Sequence, residues 1–294
     1  MFGFVCSGGS CRVVWVCNSV NCSQGRTVSE MSDKFFGMPQ GKQIATTKFD
    51  QTLRASAQMP GVRIDREAYL RSELRRFCTE AQIEHAVSTS PAEAGVPLDV
   101  VNKIADSVIK HETGKVTAIS ALAGIPGGFA AIGTVPADIA QYFGHLLRVV
   151  QKLAYIYSWP DLFENDGEAL DSATESMLTL FIGVMFSVNA AQAGVSQVSA
   201  LIAKQMVKKL PQKALTKGAI YPIVKKVATL LGVQMTKQIF AKSAAKIVPV
   251  VGGVVSGSLT LATFMPMSKR LQKHLASLPL TKSSEWNGPL PANS

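Results

Sequence analysis

One predicted helix, residues 136–157, carries polar side chains at a spacing that could support chemistry. At 100° per residue they fall within an arc of about 80°. These side chains are Asp138, Gln141, His145, Arg148 and Lys152, with Gln151 beside them. His145 could act as a general acid or base, and Arg148 could hold an anionic head group. Because the rest of this helix is apolar, we expect the polar stripe to line a groove or a buried network, where pKa values shift.

Two interpretations of the stripe stay open. In the first, Asp138, His145 and Arg148 are catalytic or binding residues in a pocket for an apolar or lipid-like ligand. In the second, the stripe is an internal hydrogen-bond network that fixes helix packing. Catalytic templates fail: after His111-Glu112, Lys115 stands where a second zinc-binding histidine would be, and G-x-S-x-G is missing. The sequence therefore predicts no metal and no cofactor, and it favours a protein that is not an enzyme.

The elements that position the stripe are predicted to be helical. Residues 65–87 and 97–123 show apolar positions every three or four residues, as amphipathic helices do. Further helices are predicted at 167–190, 194–209 and 247–277, with Gly194 as a break. No stretch alternates with period two between hairpin turns. The predicted fold is all-α, a multi-helix bundle with long apolar helices and helical hairpins broken by Pro and Gly. Close helix packing is assigned to Gly127, Gly128, Gly252, Gly253 and Gly257.

The ends of the chain are predicted to be irregular. Residues 1–60 lack sustained periodicity and are interpreted as a mostly disordered or irregular leader, with residues 1–30 either disordered or upstream of a natural start at Met31. Four cysteines in this leader are spaced unlike the pairs of structural zinc sites. A helical domain follows at residues 61–277, and an irregular tail at residues 278–294.

Charge is distributed unevenly along the 294 residues. There are 30 Lys and Arg against 20 Asp and Glu, a net charge of +10. The apolar share of 47 % is that of a globular chain, which excludes a disordered chain and an ordinary multi-span membrane protein. Residues 176–284 contain no Asp or Glu but thirteen Lys and one Arg, so they carry +14, whereas the rest carries −4. This asymmetry predicts an anionic partner surface.

Ten lysines of the acid-free region recur on predicted helices. They are Lys204, Lys208, Lys209, Lys213, Lys217, Lys225, Lys226, Lys237, Lys242 and Lys246. Near an anionic bilayer each is worth about 1 kcal/mol, so a few on one face would suffice for salt-sensitive attachment. Nucleic acid is a weaker alternative, because base readout and stacking favour Arg and exposed aromatic residues. A solvated lysine face is the third interpretation.

Three long runs contain no charged residue: residues 116–137, 176–203 and 247–268. Each is long enough to span a membrane, which takes about 20 residues. Pro, Gly, Asn and Gln interrupt them, however, as in the core of a bundle. A peripheral bundle and partial insertion of one or two hairpins therefore both stay open.

Several motifs carry a resemblance to a known family. They are Gly124-Ile125-Pro126-Gly127-Gly128, Thr134-Val135-Pro136-Ala137-Asp138-Ile139-Ala140-Gln141, Gln151-Lys152-Leu153-Ala154-Tyr155 and Ile247-Val248-Pro249-Val250-Val251-Gly252-Gly253, with residues 62–74 as an opening helix. In these motifs, residues 62–275 resemble the bacterial EcsC family. The resemblance implies a bacterial helical protein in the cytoplasm or at the membrane, and it points to an ABC transporter as a partner complex. It supplies no catalytic residue.

The sequence thus predicts a membrane-associated, non-enzymatic helical protein at the cytoplasmic face of a bacterial membrane, peripheral or partially inserted. Anionic lipid or a membrane-protein complex is the predicted partner. An enzyme or carrier for an apolar ligand is the first alternative. A lysine-rich nucleic-acid binder is the second.

Overall fold

The structure is a computed structural model that describes residues 3–7, 10–14, 40–123, 137–163, 170–205, 209–245 and 252–282. Side chains are described for residues 48–119, 140–163, 170–204, 209–234 and 261–282. The chain divides into two units, Met1–Gln40 and Gly41–Ser294. Each unit is described by itself.

The first unit contains two short strands, β1 (Gly3–Ser7) and β2 (Ser10–Val14), which pair antiparallel. β-branched and aromatic residues such as Phe4 and Val13 favour extended backbone. The strands differ from the irregular leader that the sequence predicted. Residues 15–39 lie outside the described part of the chain.

The helix α1 (Gln40–Ala57) also falls within the predicted leader and corrects it. Three apolar residues spaced four apart, Phe49, Leu53 and Ala57, are buried in the core. Phe49 packs edge-on against Phe143, with 6.2 Å between ring centroids. The helical unit therefore begins before residue 61, because one narrow apolar stripe on a polar helix is enough to bind it to the core.

The predicted helix at residues 65–87 is in fact two helices, α2 (Arg66–Leu74) and α3 (Glu80–Ser88). A capping box begins the second one. The hydroxyl of Thr79 accepts from the Gln82 N–H, and the Gln82 side chain accepts from the Thr79 N–H. This pairing satisfies two amide donors at a helix start, so it favours a break even though the apolar spacing continues through it.

The next two helices, α4 (Leu98–Ala123) and α5 (Ala137–Ile156), agree with the predicted ones. They pack antiparallel, since Tyr157, just after α5, donates to Asn102 near the start of α4 at 2.6 Å. Ser158 then adopts a left-handed conformation, with φ of 68°. Its hydroxyl accepts from the Ala92 N–H at 2.9 Å, which fixes the turn after α5.

Four helices follow: α6 (Ser172–Met185), α7 (Asn189–Gln205), α8 (Gln212–Thr216) and α9 (Tyr221–Ala245). The predicted break at Gly194 is wrong, because the chain turns at Ser187, with φ of 61°, and Gly194 lies inside α7. A Cβ on Gly194 would lie 2.9 Å from a methyl of Leu180. The glycine therefore permits close packing of α6 on α7.

The last helix, α10 (Gly252–Ala276), packs mainly on α4 and also on α5 and α6. A short 3-10 helix, Pro279–Thr281, follows it, so part of the tail predicted to be irregular is ordered. Thr281 is buried there. Residues 283–294 lie outside the described residues.

The prediction of a helical bundle is confirmed for the second unit, whose described elements are all helices around one hydrophobic core. Large aromatic residues of this core include Trp159 and Phe181, which meet edge-to-face at 4.9 Å. Across the ranges that the structure describes, the helices are too short or too polar to traverse a bilayer. The long apolar spanning helices that the uncharged runs allowed are therefore missing from these ranges.

Candidate functional site

The helix α5 presents the predicted polar stripe towards α4 and α2. Gln141, His145, Arg148 and Lys152 are half-buried, and Gln151 is fully buried. Asp138 lies in the first turn of α5, and its side chain is outside the described residues. The structure thus brings most of the candidate residues to one side of one helix.

A carboxylate from α4 lies at the centre of this face. The side chain of Glu112 is fully buried, and Lys152 donates to its Oε1 at 2.7 Å. The Nε of Arg148 lies 3.5 Å from Oε2, and the Nδ1 of His145 lies 3.4 Å from the same oxygen. One carboxylate therefore faces a lysine, an arginine and a histidine, and we call these four residues the Glu112 network.

The Glu112 network fixes the charge of its carboxylate. Burial raises the pKa of Glu112, but hydrogen bonds from His145 and Lys152 and the charges of Lys152 and Arg148 outweigh burial and hold that pKa far below its ordinary value of 4.5. Glu112 is therefore ionised at neutral pH. Because catalytic acids and bases work best with a pKa near the working pH, this carboxylate is suited to structural pairing rather than proton transfer.

Two members of the stripe hold the segment between α1 and α2. The guanidinium of Arg148 donates to the carbonyl of Gly61. Gln151 donates to the carbonyl of Val62 at 2.9 Å and accepts from the Ile64 N–H at 2.8 Å. These backbone groups lie outside any helix, so the glutamine supplies the hydrogen bonds that regular structure would otherwise give them.

Lys152 also joins the Glu112 network to α2. Its ammonium lies 6.0 Å from the ring centroid of Tyr69, within the range of a cation–π contact. Burial, together with the charges of Glu73 and Glu112, raises the pKa of Tyr69 well above 10.0. The Tyr69 hydroxyl therefore stays protonated, and among the described residues it has no hydrogen-bond partner.

Among the described members of the stripe, His145, Arg148 and Lys152 are engaged with their own protein rather than open to a ligand. Arg148, the most exposed member of the Glu112 network, still exposes only 24 % of its side chain. A cleft of about 410 Å³ lies elsewhere, beside Leu98, Leu278 and Thr281, and no residue of the stripe lines it. This geometry favours the packing-network interpretation over a pocket in which Asp138, His145 and Arg148 act on a ligand.

Sequence reasoning missed Glu112 as the partner of the stripe. It considered this residue only as part of a failed zinc motif. Yet Glu112 continues the buried row of α4, four residues after Val108 and seven after Ala105. A carboxylate in an apolar helical row must find cations, because an unpaired buried charge is very costly. The row was therefore a usable signal.

The second candidate region is the set of exposed lysines between α7 and the start of α9. Its described members, which we call the lysine surface, are Lys204, Lys209, Lys213, Lys217, Lys225 and Lys226, and all six are exposed. On α9 the exposed positions Pro222, Lys225, Lys226 and Leu230 share an arc of about 140°. Val227 and Leu231 are buried on the opposite side. The lysines of α9 thus lie on one face.

The remaining predicted site residues fall outside what the structure describes. Lys208, Lys246, Gly127 and Gly128 lie outside the described residues, and the side chains of Lys237 and Lys242 on α9 are likewise undescribed. Gly252, Gly253 and Gly257 are helical residues of α10, in a part whose side-chain surroundings are undescribed. Their role in helix packing stays a prediction.

Metal ligands do not converge in the described part of the chain. No group of three His, Cys, Asp or Glu side chains lies close enough there to hold an ion. Cys78, on the turn before α3, is a free thiol whose pKa is raised to about 11 by burial. A thiol in this state is a weak nucleophile, so it does not suggest cysteine catalysis.

The family resemblance has no support beyond its motifs. Compared with known proteins, the chain matches no family model, no curated protein and no solved structure.

Proposed function

We propose that this protein is a non-enzymatic helical protein that attaches to the anionic cytoplasmic face of a membrane through the lysine surface. One observation carries the proposal. All six described lysines of residues 204–226 are exposed, in a region of 109 residues without a single Asp or Glu. Because no acidic residue of this stretch offsets the lysines, the stretch brings a large excess of positive charge to the surface.

The size of the effect is sufficient for reversible attachment. Each lysine close to an anionic bilayer contributes about 1 kcal/mol, so those that reach the bilayer together give a few kcal/mol before entropy costs. Leu230, exposed by 41 %, lies on the same face of α9 as Lys226 and adds apolar contact. The attachment should weaken with salt, because the Debye length is only about 8 Å at physiological ionic strength.

A membrane fits this surface better than nucleic acid does. Aromatic residues of the same region, such as Phe181 and Phe264, are buried and cannot stack on bases. Its one arginine, Arg270, donates to the carbonyl of Met185. Tyr221 is half-buried, with the Lys225 ammonium 4.7 Å from its ring centroid. At that membrane face, the transporter complex that the family resemblance implies is the alternative partner to lipid.

Vesicle flotation tests the proposal. The chain should float with vesicles of phosphatidylglycerol and phosphatidylcholine at low salt, and should stay unbound with phosphatidylcholine alone. The variant Lys213→Gln/Lys217→Gln/Lys225→Gln/Lys226→Gln should lose binding about a hundredfold or more.

A matched control removes the same charge elsewhere. Lys48→Gln/Arg75→Gln/Arg76→Gln/Lys103→Gln changes four exposed cations outside the acid-free region. It should reduce binding far less than the first variant. No flotation of the wild type, or an equal loss in both variants, would contradict attachment through the lysine surface.

A further inference from the structure

The helix α10 changes its surroundings along its length. Towards its C-terminal end, Leu271 and Leu275 are fully buried. Further towards the N-terminus, the consecutive residues Leu261, Ala262 and Thr263 are all exposed. Three consecutive residues span about 200° of a helix, so α10 is exposed over a broad arc at this level, while Thr263 at one side of the arc hydrogen-bonds to Tyr142 of α5. Leu261 is 44 % exposed, more than any other described large apolar side chain.

The direction of packing shows which end of the bundle this is. Lys269 donates to Asp106 at 2.5 Å, and Gln272 donates to the carbonyl of Asn102 at 3.5 Å. Residue numbers thus rise on α4 as they fall on α10, so the two helices are antiparallel. The C-terminal end of α4 and the N-terminal end of α10 therefore lie at the same end of the bundle.

The segments of α4 and α10 that meet at this end contain no charged residue. Residues 116–123 of α4 and residues 252–268 of α10 include no Asp, Glu, Lys, Arg or His. The helix α5 runs parallel to α10, and Tyr142 packs against Phe264 at 5.8 Å between ring centroids. Asp138, one turn before Tyr142, therefore lies about level with Leu261 and marks the border of what we call the uncharged end.

Two cations lie next to the uncharged end, on the side nearer the middle of the bundle. Lys110 and Lys115 are exposed on α4 just before its uncharged segment. Apolar helix ends bordered by lysines are typical of segments that enter a bilayer while their flanking cations stay among the head groups.

We propose that the uncharged end, led by the N-terminal part of α10, enters one leaflet of the anionic membrane to which the lysine surface attaches. This inference rests on the proposed function. It adds how deeply the protein enters the bilayer and which helix enters it. Gly252–Leu261 spans about 15 Å at 1.5 Å per residue, half of a hydrocarbon core of about 30 Å. The length thus fits entry into one leaflet and not a crossing.

Two exposed leucines at opposite ends of the bundle give a matched test. Leu261 lies at the border of the uncharged end, and Leu98, exposed by 38 %, lies at the start of α4. A single cysteine at either position, in the full chain with its five native cysteines replaced by serine, is labelled with the fluorophore nitrobenzoxadiazole. With anionic vesicles, the label at residue 261 should shift to the blue and brighten, and the label at residue 98 should not.

Variants without a label test the same inference independently of the cysteine replacements. At about 0.5 M NaCl, where the Debye length is about 4 Å, wild type and Leu98→Asp should keep a vesicle-bound fraction. For Leu261→Asp the vesicle-bound fraction should be about tenfold smaller, with an unchanged far-ultraviolet circular dichroism spectrum.

The outcomes separate the two proposals. If the wild type does not float at low salt, the proposed function fails. A second outcome is that the wild type floats at low salt, but wild type and both variants lose all binding at high salt and the label at residue 261 shows no blue shift. In that case only the insertion is overturned. A blue shift at residue 261 that needs no vesicles and rises with protein concentration would mean a second copy covers this end, and would also overturn it.

Discussion

The ammonium of Lys152 lies 2.7 Å from the fully buried carboxylate of Glu112, and this pair ties α5 to α4. Removing the carboxylate charge leaves Lys152 and Arg148 facing a neutral group in a largely enclosed site. We expect Glu112→Gln to lower the free energy of unfolding by about 2–4 kcal/mol. Urea unfolding at neutral pH measures this loss.

The loss should depend on pH in a defined direction. The pKa of Glu112 is depressed by its cations, so its stabilisation is complete above the unfolded pKa of about 4.5 and declines as pH falls towards the lower folded value. The difference in the free energy of unfolding between wild type and Glu112→Gln should thus stay constant from about pH 6 to 8 and become smaller below about pH 4. Glu84→Gln, on an exposed carboxylate paired with Arg71, should change stability little. A gap that widens in acid would contradict the pairing.

Gln151 should be essential for the segment between α1 and α2. Gln151→Met keeps the side-chain size but leaves the Ile64 N–H and the Val62 carbonyl without their partner. Each such unsatisfied group costs about 1–3 kcal/mol, so we expect a loss of about 2–4 kcal/mol. Hydrogen exchange should also show reduced protection of the Ile64 amide. Gln192→Met, at an exposed position, is the control, and equal losses in both variants would argue against this role.

Asp50 should make the docking of α1 sensitive to pH. Burial and the charge of Glu175 raise the pKa of Asp50 to about 6, although Arg54 opposes them. Arg54 itself makes a bidentate pair with Glu175, at 3.0 and 2.5 Å. A raised carboxyl pKa means that stability from Asp50 is complete below the unfolded value of 3.8 and is lost as pH rises through about 6.

Asp50→Asn removes this loss. Near pH 8 we expect the free energy of unfolding of the variant to exceed that of wild type by about 1 kcal/mol, after discounting for the partial exposure of Asp50. Near pH 4 the two free energies should be equal. Urea unfolding at both pH values checks the difference. Asp99→Asn, on an exposed aspartate in the first turn of α4, should show no gain at pH 8. A gain for Asp50→Asn that is the same at both pH values would contradict the assigned titration.

The sequence located the polar stripe because helical spacing alone determines which residues of α5 share a face. It could not identify Glu112 as the partner, because that contact depends on how α4 packs against α5, which periodicity within one helix does not contain. The same limit applies to the segment at residues 61–64, whose hydrogen bonds come from Gln151 far along the chain. Local sequence patterns thus predicted the helices, whereas the hydrogen-bond and charge partners of their polar side chains depend on tertiary contacts.

The element boundaries that were wrong have local causes. The break between α2 and α3 has a readable signal, the spacing of Thr79 and Gln82, which the continuing apolar pattern outweighed. The break at Ser187 has none, since serine seldom adopts positive φ. Gly194 was interpreted as a break because glycine disfavours helices, whereas the fold uses its missing Cβ for packing.

Gly183 should be a second position where the missing Cβ is required. A Cβ there would lie 2.5 Å from a methyl of Val227 and 2.6 Å from the Cβ of Ala191, and the latter cannot rotate away. Gly183→Ala should therefore destabilise the chain by about 1–3 kcal/mol, despite a gain of about 1 kcal/mol in helix propensity. Gly114→Ala is the matched control, because a Cβ at that position of α4 meets nothing within 4 Å. It should stabilise the chain by up to about 1 kcal/mol. Urea unfolding of both variants should give changes of opposite sign, and a stabilised Gly183→Ala would show that α6 does not pack this closely on α7 and α9.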